Sequence, residues 1–227
     1  MTTPTPPPAP GPLTVLIADD QPLVRTGLSL ILRAAPGIEV VGEAGNGEEA
    51  VTEALRLRPD VVLMDIRMPV LDGVGATERL VAEVPGCRVL ALSTFDMDEY
   101  VIRALRAGAS GFLPKDVSPE ELASALRTVH SGEAVVAPRL LTRLIGAFVT
   151  APPPAAADLS GLTPREVDIL RLIASGLDNT EIAASLTIGV QTVKNHVTNV
   201  FAKLGVRDRA QAVIAAYESG LVRPRTP

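Results

Sequence analysis

The chain has 227 residues, of which 47% are hydrophobic and 21% charged, a composition typical of globular proteins. Its single cysteine, Cys87, excludes an internal disulfide, and no uncharged apolar stretch approaches the roughly 18 residues of a membrane span. The proline-rich N-terminus lacks the charged region of a secretory signal. We therefore expect a soluble, cytoplasmic protein of two small domains with no membrane partner.

Charge is distributed unevenly along the chain. From Ser160 onward there are eight basic and six acidic residues, whereas the preceding part holds 13 basic and 20 acidic residues. An acidic region followed by a mildly basic one is a weak indication of nucleic-acid binding at the C-terminal end.

Two proline-rich segments divide the sequence. The first is an N-terminal tail expected to be disordered, and the second, APPPAAAD at 151–158, follows a predicted helix over Pro138–Val149. The predicted division is a tail at 1–12, a first domain at 13–133, a linker helix and proline-rich linker at 134–158 and a second domain at 159–225.

The first domain alternates short apolar runs with amphipathic segments. The apolar runs are Val15–Ala18, Ile38–Val41, Val61–Met64, Val89–Leu92 and Gly111–Leu113. The helical patterns are Pro22–Ala34, Gly47–Arg56, Val74–Ala82, Met97–Ala107 and Pro119–His130. This alternation predicts an α/β doubly wound, five-stranded parallel sheet, with strands covered on both faces.

The second domain has only helical periodicity. Thr163 and Glu166 form a capping-box pattern at its first helix, and Asp178 and Glu181 repeat that pattern at the second. The three-residue turn Thr187–Gly189 leads into a longer third helix, and a fourth follows. The pattern predicts a small all-α, four-helix domain of the helix-turn-helix type.

Polar side chains end the predicted strands of the first domain. Asp19 and Asp20 follow the first strand, and the third, fourth and fifth strands end at Asp65, Ser93 and Lys115. Ligands of such sheets bind beyond the carboxyl ends of the strands. Clustered carboxylates repel one another unless a cation is present, and their oxygens suit Mg²⁺. With the lysine and the hydroxyl, this set predicts a phosphoryl-transfer site with Asp65 as nucleophile.

The third helix of the second domain has two distinct faces. Its predicted inward stripe is Val193, Val197, Phe201 and Leu204. The opposite face is rich in hydrogen-bonding groups that suit base edges in the major groove: Gln191, Lys194, Asn195 and Thr198. His196 and Lys203 flank this face and are expected to meet phosphates.

Residues Val15–Ser131 resemble the receiver domain of response regulators. The motifs that carry the resemblance are Asp19-Asp20, Met64–Pro69, Leu92–Thr94 and Phe112–Lys115. The resemblance implies that Asp65 is the phosphoacceptor. It also implies that Asp20, Asp65 and the Arg67 carbonyl hold Mg²⁺, with Asp19 acting partly through water.

The same resemblance assigns roles to three further residues. It implies that Ser93 hydrogen-bonds the phosphoryl group, that Lys115 pairs with it, and that Ser93 and Phe112 act as the switch. Such a protein is no enzyme beyond accepting, and losing, its own phosphoryl group.

Residues Leu162–Val222 resemble the LuxR-type helix-turn-helix, and the whole chain is similar to the NarL/FixJ class. The matching segments are Leu162–Glu166, Glu181–Ala183, Thr192–Val197 and Lys203–Gly205. The resemblance implies a sensor histidine kinase as phosphodonor, control of binding to double-stranded DNA, with Thr192 in the DNA-contacting set, and a homodimer on phosphorylation. In the family the last helix supplies dimer contacts, here expected from Ala212, Val213 and Ala216.

Three residues depart from the usual family pattern. Pro114 stands where an aliphatic residue is more common and stiffens the approach to Lys115. Gly189 replaces the usual serine cap of the third helix, at a small expected loss of stability. Thr198 is uncharged where many similar sequences carry a base, which weakens or redirects a DNA contact.

Three other classes share part of these features. A metal-dependent hydrolase would place a second acid two residues after Asp65, where Arg67 stands. A ligand-gated LuxR-type regulator would lack the acidic cluster. A pseudo-receiver, controlling transcription without phosphorylation, usually lacks an acid or the lysine, and this chain retains them all.

Overall fold

A computed structural model describes residues 11–93, 98–133, 135–136 and 159–222. The predicted tail, the helix over Pro138–Val149 and the proline-rich linker lie outside the described residues. Among the helices described, none combines the length and the apolar character that crossing a membrane requires.

The N-terminal domain alternates strands and helices as predicted. Its strands are β1 (Leu13–Ala18), β2 (Ile38–Ala44), β3 (Val61–Asp65), β4 (Arg88–Ser93), β5 (Gly111–Pro114) and β6 (Val135–Val136). Its helices are α1 (Pro22–Ala34), α2 (Gly47–Leu57), α3 (Gly73–Glu83), α4 (Asp98–Arg106) and α5 (Pro119–His130).

The strands form one parallel sheet in the order β2-β1-β3-β4-β5-β6. The predicted doubly wound α/β class is confirmed. The sixth strand was not predicted, since two residues are too few to give a period-2 pattern. It pairs with β5, where Phe112 lies opposite Val136.

Alternate residues of each strand enter cores on opposite faces of the sheet. On β1, Val15 and Ile17 join the apolar cluster beneath α1 and α5. Leu16 and Ala18 join the cluster beneath α2 and α3. Both faces of the sheet are therefore covered by helices, which explains why the strand sequences are unbroken apolar runs.

The C-terminal domain has four helices, as predicted. They are α6 (Pro164–Ala174), α7 (Asn179–Leu186), α8 (Val190–Leu204) and α9 (Arg209–Glu218). Both predicted capping boxes are present, at Thr163 with Glu166 and at Asp178 with Glu181. Gly189 begins α8 without a side-chain cap, as its lack of a side chain requires.

The two domains pack against each other through α4 and α9. Ala210 and Ile214 of α9 belong to an apolar cluster that is otherwise formed by the N-terminal domain, including Leu105 and Phe112. This contact was not predicted, because periodicity marks a buried face without identifying its partner.

Candidate functional site

The acidic side chains predicted to converge do so at the carboxyl end of the sheet. Oxygens of Asp19, Asp20 and Asp65 lie within 4.8 Å of one another. Asp19 and Asp65 are buried, whereas Asp20 is exposed at the rim. Three carboxylates at this distance form a donor set that fits a hard divalent cation.

Lys115 connects the two buried carboxylates. Its Nζ lies 2.5 Å from Asp19 Oδ2 and 2.9 Å from Asp65 Oδ2. Burial raises the pKa of Asp65, and the lysine opposes that rise by hydrogen bonding and by its charge. Burial lowers the pKa of Lys115, but the hydrogen bonds to Asp19 and Asp65 outweigh it and leave that pKa raised. The lysine therefore remains charged between two carboxylates, and one cation against three acids leaves the pocket anionic.

The remaining predicted pocket residues lie on neighbouring elements. Ser93 is buried at the end of β4, and its carbonyl accepts a hydrogen bond of 2.8 Å from the Lys115 amide. That bond fixes the backbone immediately after Pro114, which itself has no N–H to donate. Phe112 is buried on β5. Arg67 is exposed, and its amide lies 3.5 Å from Asp65 Oδ1, while the metal role of its carbonyl stays a prediction.

Two features of the loop after Asp65 escaped sequence reasoning. A Cβ on Gly73 would lie 2.0 Å from the Asp65 carbonyl oxygen, so the start of α3 packs directly on the backbone of Asp65. Val70 has φ +68° and is 84% exposed, an uncommon conformation for a β-branched residue. The sequence feature that could have predicted this close approach is the Asp72-Gly73 pair, in which a helix-capping residue is followed by a glycine.

The predicted DNA-reading face of α8 is exposed, and the opposite face is buried. Val193 and Val197 enter the domain core as predicted, together with Val200, which the predicted stripe omitted. The exposed residues of the predicted set are Gln191, Thr192, Lys194, Asn195, Thr198 and Lys203, and His196 is half-buried. Their contacts with DNA stay predictions.

Lys203 has a partner within its own domain. Its Nζ lies 2.7 Å from Oε2 of the buried Glu166, which also accepts the backbone N–H of Thr163 at 2.8 Å. The hydrogen bond from Lys203 and then that from Thr163 lower the pKa of Glu166 to about 2. The lysine thus ties the end of α8 to the start of α6, a role that sequence reasoning missed.

The residues proposed for dimer contacts lie mostly inside the domain. Ala212 and Ala216 are fully buried in the C-terminal core, and Val213 packs partly buried against it. In this arrangement the two alanines pack α9 onto its own domain and present no surface to a second copy. A dimer role for α9 stays a prediction. The two alanines would support such a role only by holding the helix in place.

Polar contacts reinforce the packing of α9 on the N-terminal domain. Asp208, fully buried, caps α9 and accepts a hydrogen bond of 2.5 Å from the Ser110 hydroxyl. Gln211 Nε2 donates to the Leu105 carbonyl at 2.7 Å. A buried carboxylate fully engaged in hydrogen bonds makes this a specific interface.

Comparison with known proteins agrees with this architecture. Residues 15–127 match the family described as "Response regulator receiver domain", and residues 160–216 match "Bacterial regulatory proteins, luxR family". The chain is 40% identical over 220 residues to "Transcriptional regulatory protein LnrK" of Bacillus subtilis (strain 168), covering 92% of this chain and 98% of that one. It is 41% identical over 212 residues to "Response regulator protein VraR" of Staphylococcus aureus (strain NCTC 8325 / PS 47), covering 93% and 99%.

A solved structure shows the same likeness. The crystal structure of the response regulator ChrA, from a haem-sensing two-component system, shares 36% identity and a TM-score of 0.52, and the match covers 93% of this chain and 100% of that one. The fold and the acidic cluster define a two-component response regulator. The chain belongs to the response regulators that join a receiver domain to a LuxR-type DNA-binding domain.

Proposed function

We propose that this response regulator accepts a phosphoryl group on Asp65 from a sensor histidine kinase and thereby controls transcription at specific DNA sites. The observation that carries the proposal is the placement of Asp65 beside Asp19, Asp20 and Lys115 at the carboxyl end of the sheet. The alternative, a pseudo-receiver, is not favoured, because no acid of the pocket and no lysine is missing.

The chemistry follows from the charges of the pocket. An oxygen of Asp65 attacks the phosphorus of a phosphohistidine, the P–N bond breaks, and the imidazole leaves with its electron pair. Lys115 neutralises charge on the phosphoryl oxygens, and Ser93 donates a hydrogen bond to one of them. Asp19, Asp20, Asp65 and the Arg67 carbonyl would hold Mg²⁺, which when bound offsets the repulsion between the carboxylates and the incoming phosphate. Beyond this acceptance and its own dephosphorylation, the chain catalyses nothing.

Phosphorylation would affect DNA binding through α9, which packs on the receiver domain. Phe112 shares an apolar cluster with Ala210 and Ile214, so movement of the switch residue alters the surface on which α9 rests. In the docked state the exposed side chains of Lys194 and Thr198 border a cavity whose opposite wall belongs to the receiver, so the receiver stands where DNA would approach this part of the reading face. The phosphorylated protein releases this domain, forms a homodimer and binds paired half-sites of double-stranded DNA.

Labelling with acetyl phosphate tests the phosphoacceptor. We expect Mg²⁺-dependent, acid-stable and base-labile label on the full chain, and none on Asp65→Asn. The exposed Asp116→Asn, on the loop after β5, is the control and should label normally. Undiminished label on Asp65→Asn would place the phosphoacceptor elsewhere.

A second experiment tests the coupling. Sedimentation and DNA titration, before and after phosphorylation, should show a shift from monomer to dimer and tighter binding to paired half-sites. Ile214→Ala should raise DNA binding without phosphorylation, whereas Val213→Ala, which lies against the domain's own core, should not. Labelled Asp65 with unchanged mass and affinity would refute the coupling but leave the phosphoacceptor intact.

A further inference from the structure

A cavity of about 520 Å³ lies between the two domains. The receiver contributes Arg88 and residues 131–133 to its wall, and the C-terminal domain contributes Asn179, Lys194, Val197, Thr198, Phe201 and Arg207. Its volume falls in the range of roughly 300–1,000 Å³ typical of small-molecule sites.

The charges around this cavity are unbalanced. Arg88, Lys194 and Arg207 line it, against a single lining acid, Glu133. That acid is already engaged, since it accepts a hydrogen bond of 3.1 Å from Asn179 and lies 3.8 Å from the guanidinium of Arg209. Asp208 lies behind the wall, 3.8 Å from Arg88, so among the described residues three lining cations still outnumber the two acids.

Arg207 is partly buried and has one guanidinium nitrogen left unsatisfied by the residues described. Its Nη2 donates to the Cys87 carbonyl, but its buried Nη1 has no hydrogen-bond partner among the residues that the structure describes. Burial lowers its pKa, against a smaller opposing effect of Asp208. The Asp208 carboxylate is occupied by Ser110 and by the amide of Gln211. Because Nη1 is itself shielded from solvent, the guanidinium must turn towards the cavity to satisfy this N–H, and an anion bound there would supply the acceptor.

Arg88 is held in place beside Arg207. Its Nη1 donates to the Arg207 carbonyl at 3.1 Å and lies 3.8 Å from Asp208. A Cβ on Gly132, which has φ +90°, would lie 3.4 Å from Arg88 Nη2. The glycine therefore lets the guanidinium lie directly over the backbone at the cavity wall.

We propose that this interdomain cavity is a regulatory site for a mononucleotide, an organic anion with one phosphate and one flat ring. Arg88, Arg207 and Lys194 bind the phosphate, since guanidinium groups match its geometry. Val197 and Phe201 form the apolar wall for the ring. One wall belongs to the helix predicted to read DNA, whose side chains are already suited to phosphates and bases.

The site would oppose DNA binding. Its two halves belong to different domains, so a bound nucleotide favours the docked state over the open one. Lys194 cannot contact ligand and DNA at once. By linkage, DNA must weaken nucleotide binding by the same factor by which the nucleotide weakens DNA binding. This inhibition rests on the proposed function, in which release of the DNA-binding domain permits DNA binding, whereas nucleotide binding in the cavity is measured without DNA.

Calorimetric titration of the full-length, unphosphorylated protein tests the site. The probes are AMP, GMP, CMP and UMP, each matched with its uncharged nucleoside. We expect at least one nucleotide to bind at one site per chain, at least tenfold tighter than its nucleoside. Arg207→Gln and Lys194→Gln should each weaken it at least tenfold, and Arg171→Gln, exposed on α6 and away from the cavity, should not.

Two results would overturn nucleotide binding in this cavity, and a third would overturn its regulatory role. One is the absence of any nucleotide that binds better than its nucleoside. The other is unchanged affinity in both Arg207→Gln and Lys194→Gln, of which the second alters only an exposed side chain and should fold normally. A nucleotide that binds but leaves the affinity for DNA unaltered would refute the regulatory role. Labelling of Asp65 in the same preparation reports independently on the proposed function.

Discussion

The acidic pocket and the reading face of α8 achieve their chemistry in opposite ways. The pocket collects side chains from four different strands or their ends, and Asp19, Asp65 and Lys115 are in contact with one another away from solvent. The reading face places its residues on one helix, exposed and with few mutual contacts; Gln191 Nε2 lies 3.3 Å from Asn195 Oδ1. Residues in contact act as a unit, whereas separated residues contribute additively. A single substitution in the pocket should therefore abolish its function, whereas each substitution on the helix should reduce DNA affinity by a part.

The largest expected effect is that of Lys115→Ala. The variant should still take label on Asp65. Because it lacks the side chain that contacts both Asp19 and Asp65, it should lose the whole phosphorylation-dependent change in mass and DNA affinity. Lys115→Arg, which keeps the charge, should retain part of the response. Normal dimerisation of phosphorylated Lys115→Ala would show that the lysine does not transmit the signal.

The next largest effect concerns backbone packing beneath the pocket. Gly73→Ala forces a methyl group against the Asp65 carbonyl, so we expect a loss of about 3 kcal/mol in the free energy of unfolding. Gly27→Ala in α1, where an added Cβ would meet no atom within 4 Å beyond its own helix backbone and chain neighbours, should instead stabilise by about 0.5–1 kcal/mol. Urea unfolding followed by circular dichroism measures both. Equal stabilities for the two variants would contradict the close approach at Gly73.

Graded effects are expected on the reading face. Lys194→Ala and Asn195→Ala should each weaken binding to a specific site by about 1–3 kcal/mol, with less effect on random DNA. The double variant should approach the sum of the two single effects. Fluorescence anisotropy at fixed salt gives these affinities. Site preference left intact in both variants would mean that the reading face lies elsewhere.

The smallest expected effect is that of Lys203→Ala, and it tests whether Lys203 stabilises its own domain and does not belong to the reading face. We expect Lys203→Ala to destabilise the C-terminal domain by about 1 kcal/mol, because solvent screens this half-exposed partner of Glu166. The pKa of Glu166 is lowered from 4.5 to about 2, so its contribution is complete above pH 4.5 and is lost as the pH falls towards 2.

Urea titrations followed by NMR signals of α6 and α8 measure this pH dependence. The stability difference between wild type and Glu166→Gln should shrink across the same interval of pH. If Lys203→Ala left stability unchanged but weakened binding to every DNA sequence, the lysine would instead make the phosphate contact that the sequence predicted.

The sequence predicted the sheet and the acidic pocket well, because parallel strands must bring their carboxyl ends together. Asp19, Asp65 and Lys115 could thus be assembled from strand ends alone. The contact of Lys203 with Glu166 was not predicted, since the two residues are 37 positions apart on different helices. The docking of Ile214 beside Phe112 was also missed, because an amphipathic helix does not state which surface it will cover.

The short strand β6 has a mechanical consequence. Since Val136 is paired with Phe112 of the neighbouring strand β5, the tether to the second domain starts at β6, beside the predicted switch residue, and not at the end of α5. From Val136 to Leu159 the chain has 23 peptide steps, a reach of at most roughly 80 Å when fully extended. A released DNA-binding domain therefore stays within a small volume around its receiver. In a dimer, the second domain would meet the neighbouring half-site at a local concentration on the order of millimolar, independent of the amount of protein in the cell.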